Sequence, residues 1–220
     1  MNASSFKAVI FDFGGVFTTS PVENFAAYEK RHGLPARFIG GVIKSNLHQG
    51  AFARFERAEI SFAEFDALFR AETRAAGREI GGDDFVALLD VALKPEMAAA
   101  LRRVKAAGFK TGCITNNFEG LDPVRRERQA HGGAAIAEIF AMFDHVIESS
   151  KAGVRKPEPR IYEMMLEALG LPAPACVFLD DLGVNLKPAQ AMGMRTIKVP
   201  FGDVRPAIDA LAAALSIDLQ

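Results

Sequence analysis

The amino-acid sequence predicts an α/β protein in which a Rossmann-like core with a parallel sheet carries a helical cap inserted after the first strand. Two observations lead to this prediction. First, five short apolar runs occur along the chain, and most of them are separated by helical patterns, as in parallel α/β sheets: residues 8–13, 110–115, 145–147, 176–179 and 196–199. Second, the interval between the first two runs contains several amphipathic helical stretches and no convincing strand.

The length of the chain fits one core domain with an insertion. Its 220 residues exceed a typical domain of about 100 to 150 residues but are short for two complete domains. We therefore expect an α/β core formed by residues 1–17 and 92–220, and a cap subdomain formed by residues 18–91. The helix before the second strand has an initial proline, apolar residues at helical spacing and a terminal glycine: Pro95, Met97, Leu101, Val104 and Gly108.

The predicted cap is rich in phenylalanine, and its clearest helix begins at Ser61. Glu64 lies three residues further along, which is the capping-box pattern of a helix N-terminus. Phe62, Phe65 and Phe69 then fall along one face of the helix. We interpret these rings and the others of this segment as the core of the cap, with one or two left to line a substrate pocket: Phe25, Phe38, Phe52 and Phe55.

Composition and charge argue against several classes of partner. The chain is 50% hydrophobic and 24% charged, with a net charge of -1, which is ordinary for a globular protein. Because it has no long basic stripe, we expect neither nucleic acid nor an anionic membrane as partner. The densest basic run, residues 125–128, indicates only a solvated face. Residues 1–7 lack a basic segment followed by an apolar stretch, so a cytoplasmic location is expected.

Two cysteines lie in apolar, strand-like segments of the sequence. Neither Cys113 nor Cys176 has a cysteine or histidine neighbour at the spacing of a zinc site. We therefore expect both to be buried free thiols.

An acidic residue follows the first predicted strand. Four apolar residues in a row suit a strand buried on both faces of a parallel sheet, and Asp12 comes at its carboxyl end, where such sheets bind ligands. Asp12 is therefore a candidate nucleophile, although it can equally cap the turn that follows. That turn, residues 13–17, offers no second acid.

Polar side chains also follow the second strand. Thr115, Asn116 and Asn117 can hydrogen-bond phosphate oxygens, but these residue types are also common in turns. Further along, Lys156 precedes a proline that favours an extended backbone. A fixed ammonium near Asp12 would offset the charges of a carboxylate and a phosphate brought together. An exposed lysine is the alternative.

The fourth predicted strand ends in two adjacent acids, Asp180 and Asp181. Their mutual repulsion and partial desolvation are costly unless a cation or hydrogen-bond donors compensate. Magnesium is the usual hard cation for one or two carboxylates plus phosphate oxygens. The pair therefore indicates a metal site more than a helix cap.

Taken together, the four segments resemble the haloacid dehalogenase superfamily in order and placement: Phe11-Asp12-Phe13-Gly14-Gly15-Val16, Ile114-Thr115-Asn116, Arg155-Lys156-Pro157 and Phe178-Leu179-Asp180-Asp181. The resemblance spans nearly the whole chain, including the helical insertion. Residues 155–162 and 177–186 look most like the phosphatase domain at the amino terminus of soluble epoxide hydrolases and related domains fused to acyl-CoA dehydrogenases.

This resemblance implies a Mg²⁺-dependent phosphatase acting on a small phosphorylated metabolite. Asp12 would attack phosphorus to form an aspartyl-phosphate, which water then hydrolyses. Thr115 and Asn116 would hold the phosphoryl group, and Lys156 would balance its charge. The implied magnesium ligands are the carboxylates of two acids and one backbone carbonyl, with a further acid assisting through water: Asp12, Asp181, the carbonyl of Gly14, and Asp180.

Gly14 departs from the pattern of this superfamily. Its phosphatases usually have an aspartate at that position, which protonates the leaving oxygen and then activates water. General acid-base help of this kind is typically worth about a hundredfold to ten-thousandfold in rate. The superfamily also includes members without this acid, so its absence does not by itself imply an inactive protein.

Three hypotheses from different classes therefore remain at this stage. Besides the phosphatase, a 2-haloacid dehalogenase would use the same aspartate without a metal, and a phosphoryl-binding or regulatory domain would show little turnover. Neither the substrate nor its cap contacts can be read from the sequence, although His48, Arg54 and Arg57 are candidates beside a surface or structural role. Residues 204–215 form an alanine-rich helix that would pack on the core or serve a dimer, so we expect a monomer or homodimer.

Overall fold

Five parallel strands form one sheet in the computed structural model, which describes residues 5–89, 92–118 and 133–219. The strands lie in the order β3-β2-β1-β4-β5. All five predicted strands are confirmed, with small shifts at their ends, and β1 stops two residues earlier than expected. Their bounds are β1 Ala8–Phe11, β2 Lys110–Thr115, β3 His145–Glu148, β4 Cys176–Asp180 and β5 Arg195–Lys198.

Helices surround this sheet and fill the interval between β1 and β2. Within residues 12–89, five helices follow β1, as α1 Pro21–Arg31, α2 Phe38–Ser45, α3 Ala51–Glu56, α4 Phe62–Ala75 and α5 Gly82–Ala87. The helices after them in the described part of the chain are α6 Pro95–Ala106, α7 Gly133–Phe140, α8 Ser149–Ala152, α9 Pro159–Leu169, α10 Gly183–Ala191 and α11 Arg205–Leu215. The predicted helices before β2 and β4 are thus α6 and α9.

Both faces of the sheet are covered by helices. Val9 and Phe11 of β1 belong to one hydrophobic cluster, together with residues of α6, α7 and α11. Their neighbours Ala8 and Ile10 belong to a second cluster on the opposite face, with residues of α9 and α10. Because successive side chains of a strand point to opposite faces, β1 must be apolar throughout, as its sequence indicates.

The helices α1 to α5 have a hydrophobic cluster of their own. It contains most of the predicted rings and therefore confirms that they form a core within this segment: Phe25, Phe38, Phe55, Phe65 and Phe69. Phe52 and Phe62 are partly buried and pack against the cluster. Ser61 caps α4, and Glu64 completes the capping box.

Two short chain segments run side by side where the helical insertion joins the core. Thr18 forms an antiparallel bridge with Leu93, and the backbone N–H of Lys94 donates to the carbonyl of Phe17 over 2.8 Å. The division into a core of residues 1–17 and 92–220 and a cap of residues 18–91 stays a prediction. Residues 90 and 91 and the basic run 125–128 lie outside the described residues.

Two further expectations concern the core. The last helix, α11, packs on the core through buried apolar residues that include Leu211 and Leu215. Cys113 and Cys176 are buried free thiols, as predicted. Within residues 5–89, 92–118 and 133–219, none of the helices is long and apolar enough to span a bilayer.

Candidate active site

Asp12 lies at the carboxyl end of β1, in the middle of the sheet. Its backbone N–H donates to the carbonyl of Leu179 over 2.8 Å, which holds the chain against β4 after β1 has ended. Its side chain is buried, and Oδ1 accepts a hydrogen bond of 2.6 Å from the backbone N–H of Phe13. The parallel topology thus places the carboxylate at the edge where ligands bind.

Lys156 connects the carboxylates of two strands. Its ammonium Nζ lies 2.7 Å from Oδ1 of Asp12 and 2.8 Å from Oδ2 of Asp180. The lysine is only 1% exposed, so the alternative of an exposed surface lysine is wrong. The fixed ammonium near Asp12 that the sequence predicts is therefore present.

Asp180, which ends β4, and Asp181, which follows it, have different hydrogen-bond partners. Asp180 is fully buried, and the side-chain amide of Asn185 donates to both of its oxygens over 3.1 Å. The backbone N–H of Leu182 adds a third bond, of 2.8 Å. Asp181 accepts a hydrogen bond of 2.8 Å from the hydroxyl of Ser20. The protein thus supplies part of the compensation that adjacent buried acids require.

Three buried carboxylates meet at this edge of the sheet. One oxygen from each of Asp12, Asp180 and Asp181 lies within 4.8 Å of the others. Clustered carboxylate oxygens are the ligands that hard divalent cations prefer. This group of side chains could therefore hold a metal ion.

The two glycines after Asp12 have different surroundings. Gly15 has a positive φ of 76°, and a Cβ at this position would lie 2.1 Å from Oδ2 of Asp181. Only glycine allows the Asp181 carboxylate to approach the backbone this closely. A Cβ at Gly14 would meet no heavy atom within 4 Å among the described residues. Among the described residues, the first side-chain atom of an acid at this position would therefore lie in open space.

The charges at this edge shift one another's protonation. Burial, and then the charge of Asp180, raise the pKa of Asp12 well above its ordinary value. The same two causes raise the pKa of Asp181 to about 6. Burial alone would lower the pKa of Lys156, but Asp12 and Asp180 outweigh it and raise that pKa. The ammonium therefore stays charged, while the carboxylates repel each other in the absence of a further cation.

Two of the three polar side chains after β2 are engaged with the protein. The amide of Asn116 donates to the carbonyl of Lys156 over 3.0 Å and accepts from the N–H of Lys156 over 2.9 Å. Asn117 bonds to Ser149 and other neighbours, which is a turn arrangement. Thr115 makes only a long bond of 3.5 Å within the described chain. Its hydroxyl is thus the better placed of the three for a ligand.

The candidate cap residues make mainly structural contacts. Arg57 is buried and forms an ion pair of 3.1 Å with Glu158 of the core. It also donates to the backbone carbonyl of His48 over 2.9 Å. Arg54 is more exposed and lies 3.8 Å from Glu59. These contacts favour the structural interpretation for Arg57.

Sequence reasoning assigned no role to several residues that support the site. Ser20 and Glu56 come from the helical insertion. Ser20 carries the capping-box pattern with Glu23, which marks a helix start and gives no sign of a contact with Asp181, and no local pattern marks Glu56. Gly15 was noted only as part of a turn. Asn185 carries a weak signal, since an amide five residues after Asp180 can fold back onto the strand end at the start of α10.

Curated relatives include two much longer proteins. The chain is 32% identical over 229 residues to acyl-CoA dehydrogenase family member 10 of Mus musculus, with 98% of this chain and 20% of that protein covered. It is also 32% identical over 205 residues to bifunctional epoxide hydrolase 2 of Sus scrofa, with 88% of this chain and 36% of that protein covered. The chain thus spans only a small part of either relative.

Other matches have a length similar to that of this chain. Phosphatase MT3486 of Mycobacterium tuberculosis is 29% identical over 203 residues, with 89% of this chain and 88% of that protein covered. A HAD family enzyme from Bacteroides thetaiotaomicron, in complex with magnesium and inorganic phosphate, superposes with a TM-score of 0.58 at 20% identity. The superposition covers 90% of this chain and 96% of the other and shows a common fold.

The family itself is established by a match that covers most of the sequence. The haloacid dehalogenase-like hydrolase family matches residues 6–193, which include β1 to β4 and the acids that follow them. This match confirms the resemblance that the four motifs indicate. The chain belongs to the haloacid dehalogenase-like hydrolase family.

Proposed function

We propose that this hydrolase is a magnesium-dependent phosphatase that acts on a small phosphorylated metabolite through an aspartyl-phosphate. One observation carries the proposal. The ammonium of Lys156 contacts both Asp12 and Asp180, and Asp181 completes a buried group of three carboxylates. A nucleophile, a charge-balancing cation and oxygen ligands for a metal are thus close enough to act on one phosphoryl group.

Asp12 is the proposed nucleophile. Its contacts with Phe13 and Lys156 both use Oδ1, so Oδ2 is the oxygen we assign to attack. The new bond joins this oxygen to phosphorus, while the bond from phosphorus to the leaving oxygen breaks and the leaving group takes the electron pair. Water then attacks phosphorus, which releases inorganic phosphate and restores the carboxylate.

The carboxylates fit magnesium by their chemistry. Asp12 and Asp181 would hold the ion with the backbone carbonyl of Gly14, and Asp180 would assist through water. The raised pKa values of Asp12 and Asp181 support this assignment, because a divalent cation relieves the repulsion that raises them. When bound, the ion supplies positive charge against the phosphate oxygens.

Gly14 limits which leaving groups we expect. The described residues leave open space where the second acid of related phosphatases would lie. Leaving groups that need little protonation fit such a site, namely aryl, acyl or anomeric sugar phosphates. Phosphatase MT3486 of similar length supports a phosphatase activity in general, without naming a substrate. We therefore propose a class of substrates and no single compound.

The proposal is tested by a screen of phosphate esters with and without magnesium, run beside Asp12→Asn and Gly14→Asp. We expect hydrolysis of aryl phosphates that is abolished by chelation. The Asp12→Asn variant should lose at least about a thousandfold in rate, because the nucleophile is gone. Unchanged phosphate release by this variant would contradict the mechanism.

The Gly14→Asp variant tests the missing acid in the same screen. The open space allows the new side chain, and an added general acid contributes up to about a hundredfold to ten-thousandfold for leaving groups that need a proton. A faster variant on alkyl phosphates would mean that the native site simply lacks an acid. A slower variant would mean that another group or the substrate fills that role.

The screen also separates the two other hypotheses. Halide release from 2-haloacids without metal would favour the dehalogenase, which has little use for three buried acids. Binding of a phosphate analogue with magnesium, but no turnover of any ester, would favour a phosphoryl-binding domain. We further propose that the protein acts in the cytoplasm as a monomer or homodimer, without nucleic acid or membrane partners.

A further inference from the structure

We propose that Glu56, a residue of the helical insertion, is a positioning residue that holds the segment carrying Lys156 in its active arrangement; this inference rests on the proposed function. Glu56 ends α3 and is only 5% exposed. Its carboxylate contacts the core rather than its own helix. The insertion thereby acts on the catalytic lysine without touching the substrate.

The first contact is a buried ion pair with the residue beside Lys156. Oε2 of Glu56 lies 2.5 Å from Nε of Arg155, which is itself only 5% exposed. Arg155 also donates to the carbonyl of Leu47 in the insertion over 2.9 Å. Because buried charges are costly when unpaired, Arg155 is best satisfied when the insertion is docked on the core.

The second contact runs through Asn116. Its amide Nδ2 lies 3.5 Å from Oε2 of Glu56 and donates to the carbonyl of Lys156 over 3.0 Å. Its amide oxygen accepts from the N–H of Lys156 over 2.9 Å. Glu56 is thus connected to Lys156 by two sets of contacts. One runs through the adjacent residue Arg155, and the other runs through Asn116, whose side chain holds the backbone of Lys156.

Further contacts join the same part of the insertion to the core. The hydroxyl of Ser149 donates to the backbone carbonyl of Glu56 over 2.7 Å. The ring of Phe55 stacks on Phe118, which follows the end of β2, with ring centroids 5.0 Å apart. The end of α3 is therefore docked on the segments after β2 and β3, and an open insertion would lose all of these contacts together.

A neighbouring ion pair offers a matched control. Arg57 and Glu158 also join the insertion to the core, at 3.1 Å, but neither contacts Asn116 or the backbone of Lys156 in the described contacts. The Glu158→Gln variant removes a charge from an ion pair between the insertion and the core, and it leaves the contacts of Glu56 with Arg155 and Asn116 in place. A general weakening of docking would affect Glu56→Gln and Glu158→Gln alike, whereas positioning affects only Glu56→Gln.

The experiment measures kcat and KM for p-nitrophenyl phosphate with magnesium in the full chain, using wild type, Glu56→Gln, Glu56→Asp and Glu158→Gln. We expect Glu56→Gln to lower kcat by about tenfold to a hundredfold, the cost of misplacing a catalytic group. KM should change by a smaller factor than kcat. The kcat of Glu56→Asp, which keeps the charge, should lie between those of Glu56→Gln and wild type. The kcat of Glu158→Gln should stay within about twofold of wild type. Equal kcat in wild type and Glu56→Gln, or equal losses in the two glutamine variants, would overturn the inference.

Hydrogen exchange of the Lys156 amide gives a readout that does not need turnover. This N–H is bonded to Asn116, so Glu56→Gln should speed its exchange while Glu158→Gln does not. If wild type hydrolyses no ester, the proposed function fails, but unchanged exchange in a folded Glu56→Gln would still refute the positioning role. Should Glu56→Gln not fold, Glu56→Asp serves for both measurements.

Discussion

Two adjacent glycines at the site have different physical roles. Gly15 allows the carboxylate of Asp181 to lie where a side chain would be, and its backbone is left-handed. Gly14 has neither constraint, since its φ is not positive and its surroundings are open among the described residues. Packing against Asp181 therefore requires a glycine at position 15, whereas at position 14 the glycine means only that the second acid is absent.

Alanine substitutions test this difference directly. Gly15→Ala should lower the free energy of unfolding by about 2 kcal/mol or more, because a left-handed alanine is strained and its Cβ would displace Asp181. Magnesium affinity should fall with it. Gly14→Ala should change stability by no more than about 0.5 kcal/mol. Urea unfolding and calorimetric titration with magnesium measure both effects, and equal behaviour of the two variants would contradict the assignment.

The protonation of Asp181 predicts how magnesium binding depends on pH. In the metal-free protein, burial and the charge of Asp180 raise the pKa of Asp181 to about 6. A cation must displace this proton and that of Asp12, whose pKa is raised as well, so magnesium affinity should fall as the pH is lowered, by about tenfold per pH unit for each proton displaced. Calorimetric titrations between pH 4.5 and about 8 would measure the profile. A magnesium affinity that rises as the pH falls would contradict this prediction.

At the scale of elements, α4 shows how the insertion holds itself together. Phe65 and Phe69 are fully buried in the aromatic cluster, and Phe65 stacks on Phe55 with centroids 4.7 Å apart. Leu68 lies on the same helix but is 37% exposed. The helical repeat thus gives α4 one face that is buried and one that is exposed to solvent. The stability of the insertion depends on the buried face.

Two substitutions on α4 check this arrangement. Phe65→Ala should cost about 3 to 5 kcal/mol, because it removes a fully buried ring and leaves a cavity. Leu68→Ala, an exposed position on the same helix, should cost about 0.5 kcal/mol or less. Thermal unfolding followed by circular dichroism compares the two variants with wild type. Similar losses would mean that α4 does not bury the face described here.

At the scale of the whole molecule, both thiols lie in strands of the central sheet, Cys113 in β2 and Cys176 in β4. Burial raises the pKa of Cys176 to about 11, and it raises the pKa of Cys113 well above its ordinary value. A raised pKa means less thiolate, which is the reactive form, at any pH below it. Reaction of these residues therefore requires the core to open.

A thiol reagent measures that opening. At pH 8, about three units below the raised pKa of Cys176, reaction of the native protein with a disulfide reagent should be slow. Both thiols should react rapidly in urea concentrations that unfold the chain. Saturating magnesium and phosphate should slow the native reaction further, because ligands bind the folded state. Rapid labelling of native protein at the same pH would contradict the burial of these residues.

Much of the fold could be predicted because its signals are local. The five apolar runs became strands, and the helices around Met97 and Met165 pack as their periodicity indicates. The acids and polar residues at strand ends were recognisable as well, since parallel topology brings carboxyl ends to one edge. Asp12, Asp180 and Asp181 follow from this rule, although their roles in catalysis stay predictions.

By itself, the sequence determined the strands, the helical insertion, the family and the acids at the carboxyl edge, because residues close in the chain encode them. Only the tertiary structure decided which distant residues support the site. Ser20 reaches Asp181 across 161 positions, and Glu56 reaches Arg155 across 99. Such contacts depend on how the insertion packs against the sheet, and no local spacing records that geometry. The same packing distinguishes Gly15, which Asp181 requires, from Gly14, where a Cβ would meet no heavy atom within 4 Å among the described residues.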